Sequence, residues 1–473
     1  MLFADLLFLF LFLPLCVASY FFTKKVQYRN IVLIVFSMIF YAWGEPTRII
    51  LLLASVVVNY FLALVIENNN KKGNAKVAKI AFIATLIYNI GMLGIFKYTD
   101  FMINNINGLF RTSIPLANIA LPLGISFYTF QILSYVIDVY WEKVDAQRSF
   151  HKLLMYISLF PQLVAGPIVR YSTIAEEIDN RRSTLADISE GATRMIMGLS
   201  KKVLIANNLN LMVGECFGAD ITGASVVGTW LGVIAYSMQV YFDFSGYSDI
   251  AIGIGRMFGF HFDENFNYPF ICRSISEFWQ RWHISLSTFF RDYLFCVPIF
   301  GKRRPIASLF LVWFTTGLWH GASWNYVLWG LYFGVFLFIE VKIGKKRLKK
   351  APTALMQLYS KLVIILGFGI FRFENMGDLG NFFKNLIGAN GNSFINEQTQ
   401  SAFLSYVFLF IVAVVACLPV AQSLKKLIKT CSYNVQAVMQ IILTVYTVAL
   451  LFACTAVLVD TFATNNPFLY WIF

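Results

Sequence analysis

The sequence predicts an all-α polytopic membrane protein with about eleven to thirteen membrane helices, some of them broken or re-entrant. Three observations predict it. Only 13% of the residues are charged and 58% are hydrophobic, whereas a soluble domain would be about a quarter charged; mean hydropathy is +0.66. Uncharged runs of about eighteen residues recur along the chain, long enough to cross a bilayer as helices. The basic residues fall in short clusters between those runs, the pattern that sets membrane topology. One integral domain over 1–473 fits best, with no soluble domain and no long linker.

A net charge of +13 could suggest nucleic acid, but its placement excludes that class. The clusters are Lys24-Lys25, Lys71-Lys72, Lys302-Arg303-Arg304, Lys345-Lys346-Arg347 and Lys425-Lys426, which fit cytoplasmic loops and contact with membrane lipid. The seven cysteines are scattered, with no Cys/His spacing, so neither a metal site nor a disulfide framework is expected.

The first span is expected over 6–22, retained because Asp5 precedes the first lysine and no basic leader is present. Lys24, Lys25 and Arg29 then mark the cytoplasm and put the N-terminus outside. A hairpin over 31–43 and 49–66 turns at Gly44-Glu45-Pro46, and a further span covers 81–96. From 121 to 169, Pro122, Gly124, Pro161 and Pro167 interrupt short apolar stretches. Such breaks are tolerated at membrane depth only where they are buried in protein or line a wet cavity. Residues 192–205, with Arg194, Lys201 and Lys202, read as an interfacial amphipathic helix. A span over 226–244 follows, then spans ending at His320 and covering 326–339, 362–371, 403–420 and 438–459. The basic links on either side of the later spans put the tail, 461–473, outside the cytoplasm.

Two of the four histidines fall inside this apolar context, where an ionisable group is by default a functional candidate. On one continuous helix, Gln280, His283, Ser287 and Arg291 share a face; an interfacial helix with His283 at the headgroups reads equally well. His320 follows the Lys302–Arg304 turn by about fifteen residues, or roughly 22 Å of helix, which sets it deep in the bilayer before Gly321. An imidazole there can take a proton from an attacking hydroxyl. Gln280, Arg281 and amides near Gly321 are candidate oxyanion donors. Asp243, Ser245 and Asp249 either line a wet cavity or form a polar loop at the end of a span. His151 and His261 read as surface residues.

The motifs resemble the membrane-bound O-acyltransferase (MBOAT) family, in its bacterial alginate and polysaccharide O-acetylation branch. They are Leu121-Pro122-Leu123-Gly124-Ile125-Ser126-Phe127-Tyr128, Val164-Ala165-Gly166-Pro167, the 241–249 segment, Glu277-Phe278-Trp279-Gln280-Arg281-Trp282-His283 and Gly317-Leu318-Trp319-His320-Gly321. They run in the family's order across essentially the whole chain. The resemblance implies a ring of helices around a thin centre with funnels from both faces. It implies His320 as the catalytic histidine and His283 as the second functional one. Gln280, Arg281, Trp319, Asp243 and Ser245 are the candidate substrate and donor contacts. It implies acetyl-CoA as co-substrate, no bound cofactor, and transfer towards an exported polysaccharide or peptidoglycan in the bacterial cytoplasmic (inner) membrane. An extracytoplasmic SGNH-type acetyltransferase is the implied partner.

The tail Phe468-Leu469-Tyr470-Trp471-Ile472-Phe473 looks like the F-x-Y-x-x-F ending of the small peptide that accompanies teichoic-acid D-alanylation. There the tyrosine is the implied acyl acceptor, which makes Tyr470 a catalytic candidate; an interfacial aromatic anchor is the other reading. D-alanyl transfer on the same scaffold is the nearest alternative function. A non-enzymatic polysaccharide transporter would also need a polar membrane cavity, although the paired repeats common in transporters are not visible.

Overall fold

The computed structural model describes residues 1–164, 166–297 and 302–460. Every regular element among them is helical. Seven helices are long and apolar enough to cross a membrane: α1 (Val26–Gly44), α2 (Ile49–Lys71), α3 (Ala75–Phe110), and, later in the chain, Trp324–Ile343, Thr353–Arg372, Glu397–Ala416 and Tyr433–Asp460. The first expected span is the shorter apolar helix Phe8–Phe22. The chain divides into two compact units: Met1–Met195 with Ile250–Asp263, and Ile196–Asp249 with the described residues from Glu264 onward.

In the first unit, a pair of asparagines joins α2 to α3. Asn59 Nδ2 donates to Asn89 Oδ1 at 3.2 Å, and Asn89 Nδ2 donates back to Asn59 Oδ1 at 2.8 Å. Helices in lipid gain nothing from hiding apolar surface, so close packing and interhelical hydrogen bonds such as this reciprocal amide pair hold spans together. The broken stretch resolves into α4 (Ile125–Tyr140) and short helices at Phe150–Ser158, Phe160–Leu163 and Tyr171–Asn180. From Ile125 to Val139 every residue of α4 is buried, so it is enclosed by protein rather than lipid. Gly124 starts it at φ +69°, where a Cβ would meet the Leu163 carbonyl oxygen at 2.6 Å; no other residue fits that approach.

The second unit holds α5 (Val226–Met257, up to Asp249), α6 (Ile275–Trp279), α7 (Ile284–Phe290), α8 (Pro305–His320), α9 (Trp324–Ile343), α10 (Thr353–Arg372), α11 (Glu397–Ala416) and α12 (Tyr433–Asp460). Helices α8 and α9 run antiparallel in very close contact. A Cβ on Gly317 would lie 2.3 Å from the Tyr326 carbonyl oxygen, and one on Gly330 would lie 2.2 Å from that of Trp313. Small residues at such crossings let backbones touch. The crossing fixes the rotation of α8 about its own axis, and with it the direction of His320 at its end.

Two expectations are corrected. The 241–249 segment is not a loop at the end of a span but the middle of a 32-residue helix. Lys202 is not on an exposed amphipathic face: it is 3% exposed, in a π-helical stretch (Lys201–Ala206) that follows the helix Leu185–Ser200. In each case polar residues that by sequence suit a boundary are satisfied internally by partners from elsewhere in the fold.

Gly330→Ala tests the crossing. It forces α8 and α9 apart, and the expected loss is about 1–3 kcal/mol, read as a lowered melting temperature of the purified protein in lipid.

Candidate functional site

The 275–291 segment does not form the continuous helix expected. Helix α6 ends at Trp279, and α7 begins at Ile284 with His283 as its N-cap in a left-handed conformation, φ 42° and ψ 55°. For a residue with a bulky side chain this conformation costs about 1–2 kcal/mol, so the surroundings must hold it. They do so through residues 265–267, whose backbone lies against the break. The Ile284 amide donates to the Asn265 carbonyl at 2.9 Å, and the Asn267 amide donates to the Arg281 carbonyl at 2.9 Å. Glu340 on α9 secures the other end. Its carboxylate accepts the Ile275 and Ser276 amides at 2.6 and 2.9 Å, in the first turn of α6, where a negative charge suits the helix dipole.

His283 is 1% exposed. Its ring stands edge-on to Phe244 at 4.6 Å and lies 5.8 Å from Trp319, centroid to centroid. Its Nδ1 is 3.2 Å from Asn265 Oδ1. His283 sits in the turn between two short helices, outside the seven spans, and burial holds its pKa below the ordinary imidazole value. The charged form is disfavoured because no apolar surround solvates it.

His320 ends α8 and is 4% exposed. Its ring packs against Trp319 at 4.9 Å, Trp329 at 4.8 Å and Phe371 at 5.2 Å. Trp279, Trp313 and Phe333 continue that shell beyond Trp329. Gly321 has φ −174°, an ordinary extended backbone. It is glycine for space, since a Cβ would meet the Tyr326 ring at 2.2 Å. The two histidines, far apart in sequence, thus share the indole of Trp319 as a common neighbour.

Helix α5 serves this region with two of its faces. Tyr241, Phe244 and Ser248 follow the helical period on one of them. Tyr241 packs on Phe266 and Trp282, Phe244 on His283, and Ser248 accepts a bond from Asn265 Nδ2 at 3.0 Å. Asp243, Gly246 and Asp249 recur at three-residue intervals on another. Asp243 Oδ1 pairs with Lys202 Nζ at 2.6 Å and Asp249 with Lys201 at 2.6 Å. Gly246 makes the approach possible, since a Cβ there would lie 2.8 Å from the Gly198 carbonyl oxygen. The Lys202–Asp243 pair is almost wholly buried, at 3% and 2% side-chain exposure.

Of the other candidates, Ser245 is buried, and its hydroxyl has no hydrogen-bond partner among the described residues. Gln280 is exposed. Arg281 is half-buried, with its guanidinium on Glu277 at 3.0 Å and on the Asn267 carbonyl at 3.2 Å. Tyr470 lies outside the described residues. His151 and His261 are exposed, bonded to Ser149 and Glu177 respectively.

Residues 143–376 match the model of the MBOAT, membrane-bound O-acyltransferase family. The peptidoglycan O-acetyltransferase of Helicobacter pylori is 34% identical over 447 residues, 86% of this chain and 84% of that protein. The chain belongs to the membrane-bound O-acyltransferase family. The probable alginate O-acetylase AlgI of Pseudomonas aeruginosa is 38% identical to this acyltransferase over 384 residues, covering 80% and 73% of the two chains. A teichoic acid D-alanyltransferase of Bacillus subtilis is 31% identical over 274 residues, 55% of this chain and 69% of that protein. Seven apolar helices and the family together make the protein a multi-pass membrane acyltransferase, which sets aside the transporter reading.

Sequence reasoning missed Asn265, Lys202 and Glu340 in this acyltransferase. The one signal pointing to Lys202 was a lysine too far inside an apolar stretch; Asn265 and Glu340 carried none, because their partners lie 18 and 65 residues away.

The buried pair predicts a stability signature. Asp243→Asn removes the carboxylate at 2.6 Å from a buried ammonium, and an expected loss of about 3–5 kcal/mol follows. Replacing both, Lys202→Met with Asp243→Leu, recovers most of it, as denaturation of the three proteins in lipid would show.

Proposed function

We propose that this acyltransferase moves acetyl from cytoplasmic acetyl-CoA towards an extracytoplasmic acceptor, for O-acetylation of an exported or cell-wall polysaccharide. The observation that carries the reading is the pair of buried imidazoles against Trp319, each enclosed by aromatic rings. The rings that surround the two imidazoles do not accept protons, and the low-dielectric surround strengthens any charge interaction formed there. The similarity to alginate and peptidoglycan O-acetylating proteins supports acetyl as the group moved.

His320 acts as general base. Its imidazole takes the proton of the acceptor hydroxyl as that oxygen attacks the thioester carbonyl carbon. The C–S bond then breaks, and the imidazolium returns the proton to the leaving thiolate, giving an acetyl ester and the CoA thiol. His283 assists and orients. Trp319 forms the wall shared by both, while Ser245 and the charged groups of α5, Asp243 among them, border the substrates. Gln280 and Arg281 are donor-side contacts.

Tyr470 is the transient acceptor. A phenol of pKa about 10 leaves more readily than an alkyl alcohol, so an acetyl-tyrosine keeps its transfer potential. It can then pass acetyl to the serine of an SGNH-type partner or to a sugar. The links 344–352 and 417–432 are separated by the two spans α10 and α11, so alternate crossing puts both on one side. Both are basic, which supports a cytoplasmic location for them and an extracytoplasmic end for α12. The N-terminus lies on that far side as well, in a bacterial cytoplasmic membrane.

His320→Ala is expected to lower acetyl transfer by about 100-fold to 10,000-fold while the purified protein remains monodisperse; unchanged polymer acetylation would sink the assignment. For the relay, the protein incubated with acetyl-CoA should carry one acetyl group on its C-terminal peptide by mass spectrometry. Tyr470→Phe should lose both adduct and transfer. The teichoic acid relative keeps D-alanyl transfer as the second reading, and turnover with a carrier-protein thioester but not acetyl-CoA would establish it instead.

A further inference from the structure

We propose that Asn265 is a positioning residue that holds His283 in one tautomer, with the proton on Nδ1 and the lone pair on Nε2. The assignment follows from which atoms can only donate. Asn265 Oδ1 lies 3.2 Å from the Ser285 backbone nitrogen and 2.9 Å from Ser285 Oγ. A backbone N–H has no lone pair to offer, so the carboxamide atom facing it is the oxygen. The same oxygen is 3.2 Å from His283 Nδ1. An amide oxygen carries no proton, so the hydrogen in that contact belongs to Nδ1.

The amide cannot turn over without loss. Its Nδ2 donates to Ser248 Oγ at 3.0 Å on α5, and a flip would face N–H to N–H at Ser285. Asn265 is 1% exposed, and its own carbonyl takes the Ile284 amide, so backbone and side chain of one residue grip the left-handed cap from two directions. In a neutral ring with Nδ1 protonated, Nε2 carries the lone pair. His283 therefore enters any proton transfer as an acceptor through Nε2. When it accepts, the hydrogen on Nδ1 stays there, still donated to Asn265 Oδ1, and no second proton moves. A neutral amide in this role orients the ring without the rise in basicity that a carboxylate would bring.

The tautomer is independent of what the enzyme transfers; only its effect on turnover rests on the acyl-transfer reading. The chain has four histidines, so nitrogen NMR of the full-length, 15N-histidine-labelled protein in lipid resolves them, and His283→Gln identifies the signal by its disappearance. A protonated Nδ1 with an unprotonated Nε2 is expected in the wild type. Asn265→Ala should mix or reverse the tautomers, and Asn265→Asp, which keeps the acceptor, should restore Nδ1–H. In the acyl-transfer assay, Asn265→Ala should lower kcat about tenfold to a hundredfold with KM for the donor little changed, and Asn265→Asp should recover part of it. A wild-type Nε2–H signal, or an Asn265→Ala protein with the wild-type tautomer, overturns the proposal. The expected tautomers in a wild-type protein that transfers no acyl group would instead count against the proposed function alone.

Discussion

Two backbone hydrogen bonds, from Ile284 to Asn265 and from Asn267 to Arg281, are the constraint on which the rest of the site depends. They clamp a helix break that would otherwise relax into a continuous helix, since nothing in the composition of 275–291 forbids one. Once the break is held, Phe278, Trp279 and Trp282 can enter the aromatic core while His283 points elsewhere, towards Phe244 and Trp319. Glu340 supports the same break from the far end of α6 by occupying the amides of its first turn. A five-residue helix has no stability of its own; it persists here because both ends are bonded to other elements.

The opposite device orients His320. Where His283 is placed by hydrogen bonds across a break, His320 is placed by close packing along an unbroken helix. The glycine crossing of α8 and α9 leaves no freedom to rotate, and the ring of Trp329, Phe371 and Trp319 fills the space around the imidazole. Acyl transfer asks for groups held within a fraction of an ångström of productive geometry, and lipid offers no solvent to pay for disorder among polar groups. Polar anchoring and steric anchoring therefore meet at one indole.

The membrane class, the all-helical fold and the basic links were legible because each is written locally, in runs of apolar residues and the charges between them. The place of His320 at the end of a helix was legible for the same reason: the start of that helix is marked by Lys302–Arg304 and Pro305, and Gly321 follows it. What could not be read was pairing at a distance. The helical period of Gln280, His283, Ser287 and Arg291 is genuine in the sequence, yet tertiary bonds from 265–267 override it. Asp243 and Asp249 looked like the end of a span because Lys201 and Lys202 are more than forty residues away. Gly246 and Ser248 gave no sign that α5 presents two different faces to two different neighbours.

The left-handed backbone at His283 has a consequence for how its imidazole can be lost. Among residues with a side chain, asparagine and aspartate rest most easily in that conformation. Asparagine is also a single-nucleotide step from histidine. A change to asparagine would therefore keep the cap, the turn and the neighbouring aromatic packing while removing the imidazole. Position 283 offers an easy mutational path to a folded protein that lacks this imidazole, whereas position 320, at the end of a regular helix and enclosed by rings, offers no comparably gentle exit.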